Sequence, residues 1–136
     1  MMTPPHLQLN VIELARSIVV TNYFGKEDMK ILSAKQIHEV DNYTIKHEQV
    51  KSIDLMERAA NAFLISFVDK YGPEWKVTVI SGTGNNGGDG FAVGRLLIDR
   101  GYEVSAYLIN PSASRSDDFQ INYDRLSRDI KIIDVD

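Results

Sequence analysis

Apolar residues recur at helical spacing over two stretches in the first half of the chain. Ser33 and Gln36 have the spacing of a capping box and predict a short helix after them. A longer helix is predicted after a cap at Ser52 or Asp54, and the Gly-Pro pair at 72–73 ends it. Its apolar stripe predicts a face buried in the core. The stripe consists of Leu55, Met56, Ala59, Ala60, Phe63, Leu64, Phe67 and Val68.

The second half of the chain alternates short β-branched runs with helical patterns. Strands are predicted at 76–81, 102–109 and 131–135, and helices at 91–100 and 117–128. Because short connections between such elements require parallel strands and right-handed crossovers, we predict a three-layer α/β/α sandwich with a mostly parallel sheet. The sequence stops at the third predicted strand, so we expect a sandwich truncated there, with an edge that favours self-association.

Residues 1–28 lack this periodicity and are predicted to be an N-terminal extension, partly helical at 11–20, before a single domain at 29–136. A net charge of −4 provides no basic field, so neither nucleic acid nor an anionic membrane is an expected partner. The chain has no cysteine, which excludes a disulfide framework and cysteine metal sites. No apolar stretch approaches the ~20 residues that span a bilayer, and no secretory leader pattern occurs. We therefore expect a cytoplasmic protein.

Glycine is concentrated directly after the first strand of the second half, where it accounts for five of the nine residues 82–90. Residues 82–87 read GTGNNG, which is G-x-G-x-x-G between a strand and a helix, the context of a dinucleotide-binding turn. Residues without Cβ allow backbone N–H groups to approach oxygen anions at a helix N-terminus. We therefore predict a ligand-binding loop over 82–90, at the carboxyl edge of the sheet, before a helix that begins at Phe91.

Asp89 distinguishes this loop from an ordinary dinucleotide turn. A carboxylate ~4 Å from a phosphate costs on the order of 4 kcal/mol at an effective dielectric of 20. Asp89 is therefore expected to bind a ribose or another hydroxyl, to hold a cation or to transfer a proton. Capping of the helix at Phe91 is the alternative interpretation. A dehydrogenase would also place a ribose-binding acid after the second strand, where this chain has Asn110.

Other catalytic classes lack their central residues. His38 and His47 do not have the spacing of a zinc motif and are expected on the surface. The chain has no G-x-S-x-G and no G-x-x-x-x-G-K-[ST] motif, so a serine hydrolase and a P-loop nucleotidase are both excluded.

Three segments within residues 29–136 resemble the N-terminal YjeF-type domain, the NAD(P)H-hydrate epimerase family. They are ILSAKQI at 31–37 with the following Asp41, DLMERAA at 54–60, and GTGNNGGDGF at 82–91. The resemblance implies a Rossmann-like fold and interconversion of the R and S epimers of hydrated NADH and NADPH, which is a metabolite-repair reaction.

The same resemblance implies roles for individual residues. Asn85, Asn86, Gly87, Gly88 and Asp89 would bind the hydrated dinucleotide, and the amide oxygen of Asn86 would be a ligand of a potassium ion. Inverting a carbinol carbon beside a ring nitrogen requires an acid and a base, and Asp89 is our candidate catalytic residue. Members of the family continue past the third strand with further ligands, and bacterial relatives often carry a fused dehydratase. A fused or partner dehydratase domain and a homo-oligomer are therefore among the expected partners.

Two alternatives remain open at this point. The first is a noncatalytic nucleotide-binding or interaction module, since a fold does not determine an activity. The second is a sugar-kinase-like phosphotransferase, because residues 88–90 read Gly-Asp-Gly at a predicted helix start and resemble an anion hole with a catalytic Asp.

Overall fold

A computed structural model describes residues 6–9 and 32–136 of the chain. The elements described are, in chain order, β1 (His6–Leu9), α1 (Ala34–Glu48), α2 (Ser52–Val68), β2 (Lys76–Ser81), α3 (Asn85–Ile98), β3 (Glu103–Ile109), α4 (Asp117–Leu126) and β4 (Ile132–Val135). From β2 onward, strands and helices alternate as the sequence pattern predicts. Their bounds agree with the predicted ones within two residues, except at the start of α3.

The four strands are parallel and lie in the order β1-β2-β3-β4. The three predicted strands are confirmed as β2, β3 and β4, and the sequence analysis missed β1, which pairs with β2 from within residues 1–28. The predicted helical stretch at 11–20 lies outside the described residues. A parallel sheet with helical crossovers confirms the Rossmann-like α/β fold.

The helices α2, α3 and α4 form one layer on a single face of the sheet. This follows from the strand order, because right-handed crossovers that all advance in one direction place their helices on the same side. The core lies between this layer and alternate residues of β2 and β3. It contains Phe63, Leu64, Phe67, Val77, Val79, Phe91, Leu97, Ala106, Leu108, Phe119 and Leu126, all at most 2 % exposed. The predicted burial of the apolar stripe of α2 is confirmed for Met56, Ala60, Phe63, Leu64 and Phe67, and the other three residues of the stripe are half-buried.

The opposite face of the sheet carries exposed apolar side chains in the described part of the chain. Ile80 and Ile133 are 44 % and 42 % exposed, and both are aligned with Tyr107 across the strands. Ile109 is 41 % exposed and is aligned with Val135 on the same face. We call these five residues the open sheet face. None of the described helices covers it.

The helix ends show which local sequence signals are used. Ser33 and Gln36 form the predicted capping box, in which the Ser33 amide donates to Gln36 Oε1 at 2.8 Å. The prediction of a cap at Ser52 or Asp54 is wrong, because α2 already begins at Ser52 and no side chain caps it. No helix in the described ranges combines the length and the apolar character that crossing a membrane requires.

Candidate functional site

The glycine-rich segment is mostly helical, and the prediction of a loop over 82–90 is wrong beyond Gly84. Helix α3 begins at Asn85 with Gly84 as its N-cap, and the amides of Gly87 and Gly88 both donate to the Gly84 carbonyl, at 2.9 and 3.1 Å. Glycine is a poor helix former, but packing overrides propensity here. The Gly87 and Gly88 amides therefore already have partners within the helix.

At three of the helical glycines a side chain would meet neighbouring atoms at close range. A Cβ at Gly87 would overlap the carbonyl oxygen of Gly82 and approach its carbonyl carbon to 2.9 Å. A Cβ at Gly88 would lie 3.1 Å from the sulfur of Met56, and one at Gly90 would lie 2.9 Å from the hydroxyl of Ser81. Helix α3 can therefore approach both β2 and α2 at its N-terminal end.

The other two glycines face open space. A Cβ at Gly82 or at Gly84 would meet no heavy atom within 4 Å. The side chains of Asn85 and Asn86 are exposed next to them. The first N–H groups of a helix have no intrahelical partner, so this edge offers amide donors beside two side-chain amides. The arrangement suits a polar ligand that approaches the backbone closely.

Asp89 lies in the second turn of α3, so its predicted role as a cap of a helix at Phe91 is wrong. The same start of α3 removes the basis of the phosphotransferase interpretation, because residues 88–90 are inside the helix. Burial, together with smaller effects of the Asp41 and Asp118 charges, raises the pKa of Asp89 to about 7. Asp89 can therefore exchange a proton near neutral pH.

Helix α4 begins against the same edge. Ser116 caps it by accepting from the Phe119 amide at 3.3 Å, and the Ser116 amide donates to the Thr83 carbonyl at 3.2 Å. The Phe119 ring packs on Phe91 with 5.3 Å between the centroids. The start of α4 is therefore fixed to both sides of the glycine-rich turn.

Helix α2 also begins at this edge, and polar contacts fix its position. The Ser52 hydroxyl donates to Asp118 Oδ2 at 2.5 Å. One turn further on, Glu57 accepts from Arg95 Nη2 with both carboxylate oxygens, at 2.6 and 2.7 Å, and Arg125 Nη1 lies 3.6 Å from Glu57 Oε2. Three helices that begin at one sheet edge are thus tied together directly below it.

The structure brings the predicted residues Asn85, Asn86, Gly87, Gly88 and Asp89 together in the first two turns of α3. Sequence reasoning missed Ser52 and Asp118 because they are 66 residues apart and belong to different helices. The local sequence around Asp118 shows only a helix cap at Ser116 with acidic residues in the first turn, a pattern that predicts the start of a helix and not a binding site.

Metal-binding groups are sparse in this region. His38 and His47 are exposed, as predicted. Across residues 32–136, no three His, Asp or Glu side chains converge in a group that could hold a metal ion. Asn86 offers one neutral oxygen, which suits a hard cation, although it lies at the positive end of a helix. Among the predicted site residues, Asn86 is thus the one candidate potassium ligand, and no cluster of three acidic or histidine side chains joins it in the described residues.

A parallel sheet with a glycine-rich strand-to-helix turn at its carboxyl edge defines a Rossmann-like α/β protein, a class that binds ligands at that edge. The chain matches the family described as YjeF-related protein N-terminus over residues 52–132, which include the whole turn. The chain therefore belongs to this family.

Named relatives are similar to most of the domain. An NAD(P)H-hydrate epimerase of Oenococcus oeni is 42 % identical over 91 residues, which cover 66 % of this chain and 43 % of that protein. The corresponding protein of Anaerococcus prevotii is 34 % identical over 101 residues, covering 74 % of this chain and 45 % of the relative. A bifunctional NAD(P)H-hydrate repair enzyme Nnr of Salinibacter ruber is 38 % identical over 90 residues, which cover 65 % of this chain and 17 % of that protein. The matched region thus spans less than half the length of these relatives.

Proposed function

We propose that this chain takes part in the epimerisation of the R and S forms of hydrated NADH and NADPH, a metabolite-repair reaction. The observation that carries the proposal is the family match over 52–132 together with relatives named NAD(P)H-hydrate epimerase. The open edge beside Gly82 and Gly84 supports it, because no heavy atom within 4 Å of a Cβ at either position blocks a close approach to the backbone.

The charges of the site indicate which part of the substrate it receives. The negative charges of two further carboxylates, those of Asp41 and Asp118, act on Asp89. A diphosphate among them would be repelled, whereas the hydroxyl of a hydrated nicotinamide ring can both donate to and accept from a carboxyl group. We infer that the ring hydroxyl lies at Asp89 and that the diphosphate lies further out along the edge.

The raised pKa of Asp89 fits the chemistry of the proposed reaction. Protonated Asp89 donates its proton to the departing hydroxyl, the C6–O bond breaks, and the lone pair of the ring nitrogen forms an iminium. Water then adds to the other face of C6 and returns a proton to Asp89, so atoms and charge balance. Opening of the ring would instead need a base to take the hydroxyl proton as the C6–N bond breaks to leave an aldehyde, and an acid to protonate the ring nitrogen; reclosure on the other face reverses both transfers.

Potassium remains part of the proposal through Asn86, whose exposed amide oxygen would be one ligand. A bound cation would supply charge stabilisation for an anionic substrate. We assign it no step, because Asn86 is the one ligand that we propose for it. Dependence of the rate on KCl, with NaCl at equal ionic strength as the control, tests this assignment.

We also propose a dehydratase as a fused or associated partner, because the Salinibacter ruber relative is named a bifunctional repair enzyme. Homo-oligomer formation and a cytoplasmic location stay predictions. Sedimentation of the purified chain at several concentrations tests the first, and localisation of the tagged full-length product tests the second.

The direct test follows the interconversion of purified S-hydrated NADH to the R form by chromatography. We expect the chain to accelerate it above the spontaneous rate, and Asp89→Asn to abolish the acceleration. A folded chain that leaves the spontaneous rate unchanged would refute the enzymatic proposal for this chain. If it still bound the hydrated nucleotide, the noncatalytic binding module would be the correct interpretation.

A second measurement separates binding from folding. Gly84→Ala and Asn85→Ala should weaken binding of hydrated NADPH, because both residues lie at the open edge. Asn61→Ala is the matched control, since Asn61 is exposed on α2, where its amide donates to the Glu57 carbonyl at 2.8 Å. Equal affinities in all three variants would place the nucleotide elsewhere.

A further inference from the structure

Helix α1 turns one side toward the rest of the domain. Ile37, Thr44 and Ile45 on that side are half-buried. Glu48, near the end of the helix, accepts from Arg58 Nη1 of α2 at 2.6 Å. These contacts fix the orientation of α1 and therefore decide which of its residues face the solvent.

A second side of α1 carries apolar and aromatic groups that are largely uncovered in the described part of the chain. Val40 and Tyr43 are 51 % and 62 % exposed. The Tyr43 ring stacks on the His47 ring with 3.7 Å between the centroids, and His47 Nδ1 lies 2.9 Å from the Tyr43 carbonyl oxygen. The stack restricts the Tyr43 ring, so this surface is preformed. We call Gln36, Val40, Tyr43 and His47 the α1 stripe.

The α1 stripe has the spacing of a helix-to-helix contact. Its members follow one another at intervals of four, three and four residues, the alternation of the a and d positions through which two helices pack. In the other described helices, the exposed large apolar residues are Ile65 on α2 and Ile121 on α4, and each stands alone. A row of exposed apolar groups marks an interaction surface, whereas single ones do not.

The charges beside the α1 stripe are complementary to themselves under a twofold axis. Glu39 and Lys46 lie on the same flank of the stripe, two turns apart, and both are exposed. An antiparallel second copy of α1, with the axis between residues 41 and 42, sets Val40 against the second copy's Tyr43. The same alignment brings Glu39 to the second copy's Lys46, and the axis repeats this ion pair. A parallel copy would instead place Glu39 beside Thr44, which carries no charge.

We propose that the α1 stripe is the contact through which two copies of this chain form an antiparallel, twofold-symmetric dimer. The stripe shares no residue with the open sheet face or with the proposed substrate site, so the inference does not depend on the proposed function. Within α1, the exposed Lys35–Glu39 pair at 4.0 Å competes only weakly for Glu39.

The size of the contact sets the expected affinity. Helix α1 has 15 residues and is therefore ~22 Å long. A contact limited to two such helices is smaller than the ~1,200 Å² of total surface that stable complexes bury. The dimer is therefore expected to be weak and to form as the protein concentration rises.

Sedimentation equilibrium of the purified chain from micromolar to millimolar concentration measures the dimer. Glu39→Lys and Lys46→Glu each place like charges at both ion pairs, so each should weaken self-association about tenfold. In a mixture of the two variants both pairs again join opposite charges. A heterodimer should therefore form with about the affinity of the unmodified chain, a rescue that a folding defect in either variant cannot produce.

Tyr43→Asp should abolish the dimer, because it places a charge in the middle of the stripe. Ile65→Asp is the matched control, since Ile65 is 67 % exposed on α2 outside the stripe, and it should leave the dimer unchanged. Circular dichroism verifies that each variant is folded.

Three results would overturn the proposal. The first is a chain that stays monomeric up to millimolar concentration, which would leave the stripe to a different protein. The second is a mixture of Glu39→Lys and Lys46→Glu that associates no better than either variant alone. The third is a dimer that survives Tyr43→Asp but is lost in Ile133→Asp, which would assign self-association to the open sheet face.

Discussion

Substitution of Gly87 by alanine should destabilise the protein strongly. The added Cβ would overlap the Gly82 carbonyl oxygen and lie 2.9 Å from its carbonyl carbon, against ~3.5–4.0 Å for an unstrained carbon pair. The Phe119 ring, 3.2 Å away on the other side, prevents α3 from moving in that direction. Overpacking of this kind costs ~1–3 kcal/mol, and the rigid backbone on one side places Gly87→Ala near 3 kcal/mol.

Thermal unfolding followed by far-UV circular dichroism measures this loss. At about 4 °C per kcal/mol for a chain of this size, Gly87→Ala should lower Tm by about 12 °C. Gly82→Ala is the control, because its Cβ would meet nothing within 4 Å. A second comparison is Gly94→Ala in mid-helix, whose Cβ would make an ordinary 3.4 Å contact with Val79 and should raise stability by ~0.5–1 kcal/mol. A Tm of Gly87→Ala within about 2 °C of the unmodified chain would refute the packing described here.

Three further predictions concern the core, the ion pairs and Asp89. Phe91→Ala removes a fully buried ring and should cost ~3–5 kcal/mol in urea unfolding, and a loss below 1 kcal/mol would contradict its place in the core. Glu57→Gln should lower the free energy of unfolding by about 2 kcal/mol, because Arg95 is only 18 % exposed and loses its ion pair with Glu57. The control Lys35→Ala removes the exposed pair with Glu39 and should change the free energy of unfolding by less than ~0.5 kcal/mol. The raised pKa of Asp89 means that the folded protein holds this proton longer than the unfolded chain, so its contribution to stability falls as pH rises from about 4 to about 7. The Tm of Asp89→Asn relative to the unmodified chain should therefore rise over that range, and a constant difference would contradict the raised pKa.

The alternation of elements was predictable because each strand and helix has its own local pattern. Ser33 with Gln36, the stripe of α2 and the Gly101 that ends α3 all signal their structure within a few residues, and Gly101 has the expected positive φ of 85°. The strand at His6–Leu9 has no comparable signal, because a four-residue strand at a sheet edge is specified by its partner β2.

The start of α3 could not be predicted from composition. Five glycines in nine residues favour a loop by propensity, but Gly87 lies where the Gly82 backbone leaves no room for a side chain, and Gly88 packs tightly against Met56 and Phe119. The candidate binding residues come from the motif alone and stay a prediction. The pairing of Ser52 with Asp118, and with it the surroundings of Asp89, depends on how three helices pack and has no counterpart in the local sequence.

The open sheet face has a practical consequence for work with this chain in solution. A continuous apolar row across three strands consists of Ile80, Tyr107 and Ile133. The net charge of −4 provides only modest electrostatic repulsion between molecules. Salts that are excluded from protein surfaces strengthen the attraction between such rows. Ammonium sulfate should therefore precipitate the chain readily, hydrophobic-interaction resin should retain it, and dilute, low-salt buffer should keep it dispersed.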